Sequence, residues 1–169
     1  MDKKDIRLLI KDRINNLDNR EDLDMLINDK LISFLSSYNK IALYLAKHDE
    51  VNLKQTIDKL KDIKQIYIPT ITNDDTMIFN KYNDIQIKNK YNINECINKD
   101  IIDIKDLDII IVPLRAYDNN YNRVGRGKGY YDKVLNNARY KVGIAYSIQY
   151  INNIEIQKHD IKLDDILTN

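Results

Sequence analysis

Short apolar runs in the sequence predict buried strands. These runs alternate with segments whose apolar residues recur at helical spacing. Strands that alternate with helices favour a mainly parallel sheet covered on both faces. The length of 169 residues suits a single domain, 1–169. The predicted fold class is therefore α/β, a single-domain, three-layer, Rossmann-like arrangement. In such folds ligands bind beyond the carboxyl ends of the strands.

The predicted helices cover residues 2–17, 21–37, 52–61 and 128–138. In the first, Ile6, Ile10 and Ile14 recur at the spacing of one helix face. In the third, Asn52 followed by Gln55 resembles a capping box, which satisfies free backbone N–H groups at a helix start.

The predicted strands cover residues 40–46, 64–69, 76–79, 84–87, 91–93, 108–112, 140–146 and 165–168. The clearest is DIIIV at 108–112, which Pro113 follows. A continuous apolar run of this length is typical of a strand buried on both faces. Residues 114–125, which come next, are predicted to be a loop.

Composition excludes several classes of protein. The formal net charge of +1 provides no overall field that would attract nucleic acid. Cys96 is the single cysteine, so neither an internal disulfide nor a thiolate metal cage can form. No apolar stretch approaches the roughly 18 residues that span a membrane, and the charged N-terminus lacks a signal peptide. We therefore expect a cytoplasmic protein without nucleic-acid or membrane partners.

Glycine is scarce and concentrated. The chain has 4 glycines, and three of them lie in GRGKG, residues 125–129. Backbone N–H groups of such a loop can converge on a phosphate, and a helix start adds a favourable dipole. Arg123, Arg126 and Lys128 add positive charge, and Asp132 follows where a carboxylate could hold Mg²⁺ between phosphates. The segment predicts a phosphate site.

Two common nucleotide motifs do not fit this segment. A Walker A motif needs Ser or Thr after its lysine, whereas Gly129 and Tyr130 follow Lys128. A dinucleotide fingerprint needs G-x-G-x-x-G directly after a strand, and here the third glycine comes one place early. The alternative to a phosphate site is a flexible turn with solvated basic side chains and no ligand. The scarcity of glycine elsewhere and the three basic residues disfavour it.

Residues 112–132 read VPLRAYDNNYNRVGRGKGYYD. This segment resembles the signature of the 5-formyltetrahydrofolate cyclo-ligases, in which Pro-Gly, an aromatic-Asp pair and Arg-Leu-Gly-x-Gly-x-Gly-Tyr-Tyr-Asp follow a strand. Lys3 and Arg7 match an N-terminal Lys-x-x-Leu-Arg, and residues 43–51 and 159–168 match two further family segments. The sequence departs from the pattern at Leu114, where glycine is usual.

The resemblance implies a reaction. 5-Formyltetrahydrofolate and ATP give 5,10-methenyltetrahydrofolate, ADP and phosphate, with ATP as co-substrate and Mg²⁺ as cofactor. Phosphorylation of the formamide oxygen turns a poor leaving group into a good one, and nitrogen-10 then closes the ring. Phosphoryl transfer asks the protein mainly for positioning and charge neutralisation. The implied partners are small-molecule substrates, and the implied assembly is a monomer or weak oligomer.

The resemblance also assigns residues. It implies ATP binding by Lys3, Lys4, Arg7, Arg123, Gly125, Arg126, Gly127, Lys128, Gly129, Tyr130 and Tyr131. It implies folate binding by Leu45, Glu50, Tyr91, Tyr117, Arg126, Gly127, Lys128, Gly129 and Tyr130. It implies catalytic roles for Arg126, Lys128 and Tyr131. It implies Mg²⁺ binding by Asp132 and Asp160.

Two other functions remain open at this point. One is a phosphate- or nucleotide-binding module without catalysis. The other is an RNA-binding domain that uses Arg126, Lys128 and neighbouring tyrosines as a basic and aromatic patch. The low net charge and the shortness of this cluster weigh against RNA.

Overall fold

A computed structural model describes residues 1–96 and 100–169. Its α-helices are α1 (Lys3–Asn15), α2 (Arg20–Phe34), α3 (Lys54–Leu60) and α4 (Tyr130–Val134). Its strands are β1 (Lys40–Ala42), β2 (Gln65–Ile71), β3 (Met77–Lys81), β4 (Gln86–Lys88), β5 (Asn94–Cys96), β6 (Ile101–Ile102), β7 (Ile109–Pro113), β8 (Ala116–Tyr117), β9 (Arg123–Val124), β10 (Lys141–Ile144) and β11 (Asp165–Leu167). Turns of 3₁₀-helix follow α2 and α4 directly.

The central sheet has the strand order β11-β10-β7-β1-β2-β3-β6. The five strands from β11 to β2 are parallel, and β3 pairs antiparallel with both β2 and β6. The chain enters at β1 and builds outward through β2 and β3. It then returns to β7 on the other side of β1. The direction of winding therefore reverses between β1 and β7, where ligands bind in sheets of this kind.

The parallel strands bury side chains on both faces. In β7, Ile109 and Ile111 face one core cluster, while Ile110 and Val112 face another. The first cluster also contains buried residues of α1, α2 and α3. The second contains Leu135, directly after α4, with partly buried residues of α4 packed against it. The predicted α/β class, with a mostly parallel sheet and helices on both faces, is confirmed.

Several boundaries differ from the sequence prediction because of local turns. The predicted loop over 114–125 contains a short hairpin of β8 and β9, which the Asp118 carboxylate closes by accepting backbone N–H bonds from Asn120 and Asn122. The strand predicted at 91–93 lies at β5 instead, because Asn92 adopts a left-handed φ of 59° within a turn.

Both predicted helix starts at 52 and 128 also need correction. Asn52 does accept a bond from the Lys54 N–H, but the Gln55 side chain donates to Asp29. The predicted capping box was therefore wrong. At the other site, Gly129 takes a left-handed φ of 68°, so α4 begins only at Tyr130. None of the helices in the described ranges is long and apolar enough to cross a membrane.

Candidate active site

A cavity of about 530 Å³ lies at the carboxyl ends of β1, β2 and β7. Leu45 follows β1, Pro69 and Ile71 belong to the end of β2, and Pro113 ends β7, and all four line the cavity. These three strands are neighbours in the sheet and flank the reversal of winding. The cavity therefore lies where the fold class predicts a ligand site.

Most of the residues assigned from the sequence meet at this cavity. Those lining it are Lys3, Arg7, Leu45, Glu50, Tyr91, Arg123, Gly125, Arg126, Gly127, Lys128, Gly129, Tyr130, Tyr131, Asp132 and Asp160. Lys4 and Tyr117 do not line it. Lys4 is exposed on α1, and Tyr117 packs edge-on against Tyr150, with 5.8 Å between ring centroids. Their placement gives no support to the binding roles assigned to them.

The conformation of the glycine loop depends on two left-handed glycines and on a hydrogen bond from α1. Gly127 has a φ of 100° and Gly129 a φ of 68°, both in the region that L side chains rarely adopt. Arg7 donates from Nε to the Gly125 carbonyl at 2.7 Å. The Lys128 Nζ lies 5.4 Å from the centroid of the Tyr91 ring. The loop therefore presents its backbone and an exposed ammonium group to the cavity.

Two carboxylates from the turn after β1 meet Arg126 of the loop. Its Nε donates to Glu50 Oε1 at 2.7 Å, and its Nη2 forms an ion pair with Asp49. Asp49 pairs with Arg115 as well, and its side chain is only 3% exposed. Burial alone would raise the pKa of Asp49, but hydrogen bonds from Arg126 and Arg115 outweigh burial and lower it. The cluster is thus charge-balanced, with two acids and two guanidinium groups.

The turn that carries these acids is fixed from two sides. The Glu50 carboxylate accepts a bond from the Lys47 backbone N–H at 2.9 Å, and the Glu50 N–H donates to the Lys47 carbonyl at 3.1 Å. Arg20 of α2 donates to the His48 carbonyl at 2.7 Å. Each oxygen of Glu50 therefore accepts one hydrogen bond, one from the backbone and one from Arg126.

Two further carboxylates line the cavity, and each is paired with a cation. Arg123, whose side chain is 4% exposed, donates to Asp132 at 2.7 Å, and Lys3 pairs with Asp160. Within residues 1–96 and 100–169, no group of three or more His, Cys, Asp or Glu side chains is placed to hold a metal. Mg²⁺ usually takes one or two carboxylates together with phosphates and water. Asp132 and Asp160 fit an ion that arrives with a nucleotide.

Two turns and the start of α4 meet at a cluster of tyrosines around Asp75. The Tyr91 hydroxyl donates to Asp75 at 2.7 Å, and the rings of Tyr91 and Tyr130 are 5.9 Å apart. Hydrogen bonding with Tyr91, with burial, raises the pKa of Tyr130 to about 12. Burial likewise raises the pKa of Tyr131. Both phenols keep their protons at neutral pH, so Tyr131 can donate a hydrogen bond but is no base.

A sequence model of the 5-formyltetrahydrofolate cyclo-ligase family matches residues 2–169. The chain belongs to this family. The 5-formyltetrahydrofolate cyclo-ligase of Mycoplasma genitalium is 33% identical over 181 residues, covering 100% of this chain and 99% of the relative. A solved 5,10-methenyltetrahydrofolate synthetase from Mycoplasma pneumoniae superimposes with a TM-score of 0.80 at 28% identity, covering 99% of both chains. The synthetase of Aquifex aeolicus superimposes with a TM-score of 0.83 at 28% identity, covering 99% of this chain and 90% of its own.

Membership of the cyclo-ligase family confirms the resemblance seen in the sequence. The chain is therefore an enzyme, and ATP is the co-substrate that this family uses. The roles of individual residues rest on their geometry. That geometry adds residues that sequence reasoning missed, namely Asp49, Arg115 and Asp75. Asp49 directly precedes Glu50, and this adjacency was the one signal that could have drawn attention to it.

Proposed function

We propose that this cyclo-ligase-family chain converts 5-formyltetrahydrofolate and ATP into 5,10-methenyltetrahydrofolate, ADP and phosphate. The observation that carries the proposal is the hydrogen bond between Arg126 and Glu50. Arg126 belongs to the basic glycine loop, and Glu50 is the acid assigned to the folate ring. If these two assignments hold, the contact would bring the phosphate and folate subsites together in one cavity, as transfer between the two ligands requires.

The reaction proceeds in two steps. The formyl oxygen attacks the γ-phosphorus of ATP, and ADP leaves. Nitrogen-10 of the folate then attacks the activated formyl carbon and loses its proton, and the carbon–oxygen bond breaks to release phosphate. Arg126, Lys128 and the loop N–H groups neutralise charge on the transferring phosphoryl group, which is the main demand of such a step. We assign the Tyr131 hydroxyl, which keeps its proton, to donating a hydrogen bond to the same phosphoryl group.

The two substrates use different walls of the cavity. Lys3, Arg7 and Arg123 lie on the side of the glycine loop and suit the nucleotide. Glu50 suits the pterin ring, because amino and ring N–H groups of the pterin are donors and a carboxylate only accepts. Tyr91 and Leu45 supply apolar surface beside it.

The decisive assay mixes the protein with 5-formyltetrahydrofolate, ATP and Mg²⁺ and follows the near-ultraviolet absorbance of the methenyl product together with phosphate release. We expect both signals to rise in equal amounts and to depend on ATP. A phosphate-binding module without catalysis would bind ATP and give neither signal. Binding of single-stranded RNA in place of ATP would favour the RNA-binding alternative.

Mg²⁺ bound with ATP would supply further charge neutralisation, with Asp132 and Asp160 as its protein ligands. We expect EDTA to abolish turnover and added Mg²⁺ to restore it. In Asp132→Asn, the Mg²⁺ concentration for half-maximal activity should rise by about tenfold or more. The exposed Asp62→Asn is the control, because Asp62 does not line the cavity. An unchanged Mg²⁺ requirement in folded Asp132→Asn would remove Asp132 from the metal site.

A single domain over 1–169, a cytoplasmic location, a monomeric or weakly oligomeric state and the absence of nucleic-acid partners remain predictions from the sequence. Gel filtration with light scattering tests the oligomeric state directly.

A further inference from the structure

Asp49 is a buried carboxylate that touches the active-site loop without facing the cavity. Its side chain is 3% exposed, and it does not line the cavity, whereas its partner Arg126 does. One oxygen pairs with Arg126 and the other with Arg115. A buried carboxylate between two guanidinium groups is costly unless both partners stay in place.

The Arg115 side of this arrangement is rigid. The Arg115 N–H donates to the Val124 carbonyl at 2.7 Å, and the Arg115 carbonyl accepts a bond from Gln149 at 3.0 Å. The Arg115 side chain is 11% exposed, so its guanidinium has little freedom to leave Asp49. Asp49 is therefore anchored on one side by Arg115, next to the β8–β9 hairpin, and holds the more exposed partner, Arg126, on the other.

Glu50, the other acid that holds Arg126, lines the cavity, whereas Asp49 does not. The two oxygens of Glu50 accept hydrogen bonds from the Lys47 N–H and from Arg126 Nε. A ligand that binds Glu50 from the cavity would share or compete for the oxygen that now accepts from Arg126. Asp49 does not line the cavity, so its bond to Nη2 of Arg126 lies away from both ligands.

We propose that Asp49 is a positioning residue that acts through Arg126, holding its guanidinium beside the glycine loop while its Nε is exchanged from Glu50 to the phosphoryl group. The inference rests on the proposed function, because it assigns Arg126 to the transferring phosphate. It predicts that Asp49 affects catalysis and nucleotide binding only while Arg126 is present.

The test is a double-mutant cycle of wild type, Asp49→Asn, Arg126→Ala and the double variant. Turnover gives kcat and the KM for ATP, and calorimetry gives the affinity for a non-hydrolysable ATP analogue with Mg²⁺. We expect Asp49→Asn to lower kcat by about tenfold or more. We expect it to weaken binding of the analogue by about fivefold. In the Arg126→Ala background, the same change should alter each value by less than about twofold.

Equal effects of Asp49→Asn in both backgrounds would show a merely structural role and overturn the proposal. Asp49→Asn could fail to fold because it leaves Arg115 unpaired. In that case, kcat of the single variant Arg115→Met is compared with kcat of the double variant Asp49→Asn/Arg115→Met. Both variants lack the Arg115 guanidinium. A kcat unchanged between those two would overturn the proposal equally. If wild type binds the analogue but does not turn over the folate, the proposed function fails, and the binding cycle still decides whether Asp49 acts through Arg126.

Discussion

Lys128→Ala is expected to lower kcat by about a hundredfold or more, because the proposed mechanism uses its positive charge to neutralise the transferring phosphoryl group. The Lys128 side chain is exposed, and its Nζ lies 5.4 Å from the centroid of the Tyr91 ring. A contact of this kind at an exposed site contributes little to folding. The melting temperature should therefore stay near the wild-type value while turnover falls.

Lys133→Ala is the matched control for this variant. Lys133 lies five residues further along the same segment, and its Nζ is 5.9 Å from the Tyr130 ring centroid, yet it does not line the cavity. Both variants lose one lysine charge near a tyrosine ring, and only Lys128→Ala loses a charge that faces the cavity. Wild-type kcat in Lys128→Ala, or an equal loss in both variants, would show that the phosphate site is misplaced.

The sheet could be predicted from sequence because its strands are buried on both faces. Ile109–Pro113 stands out as an apolar run, and the helix over Lys3–Asn15 shows the expected spacing of isoleucines. The β8–β9 hairpin could not be predicted, because its strands are two residues long and show no period. Its turn depends on the carboxylate of Asp118, a tertiary detail.

In the candidate site, too, some features could be predicted from the sequence and others could not. The glycine loop could be predicted because this glycine-poor chain concentrates three of its 4 glycines there. The Asp49–Arg115 pair could not be predicted, because it depends on β1 and β7 being neighbours in the sheet. Local sequence patterns do not determine strand order. The pairing of Asp132 with Arg123 could not be predicted either, because it depends on how the glycine loop folds between β9 and α4. This pairing gives Asp132 a structural role beside its proposed metal role.

Glu50→Gln is expected to weaken binding of 5-formyltetrahydrofolate by about tenfold or more, since a lost hydrogen bond to a charged group costs roughly 1.5–3 kcal/mol. The pterin presents neighbouring donors, and an amide offers one acceptor together with an opposing N–H. Calorimetry with the folate in the absence of ATP measures this loss directly. The near-isosteric change keeps an oxygen for the Lys47 N–H that Glu50 accepts at 2.9 Å, so the turn should hold its shape.

Nucleotide affinity should stay within about twofold of wild type in Glu50→Gln, the scatter expected for sites that are not coupled. The reason lies in Arg126, which loses its bond to Glu50 but keeps its ion pair with buried Asp49. Glu155→Gln, an exposed change outside the cavity, serves as the control for loss of a surface charge. Weaker binding of the nucleotide with unchanged binding of the folate would reverse the assignment and place Glu50 on the nucleotide side. A loss for both ligands would mean that Glu50, rather than Asp49, anchors Arg126.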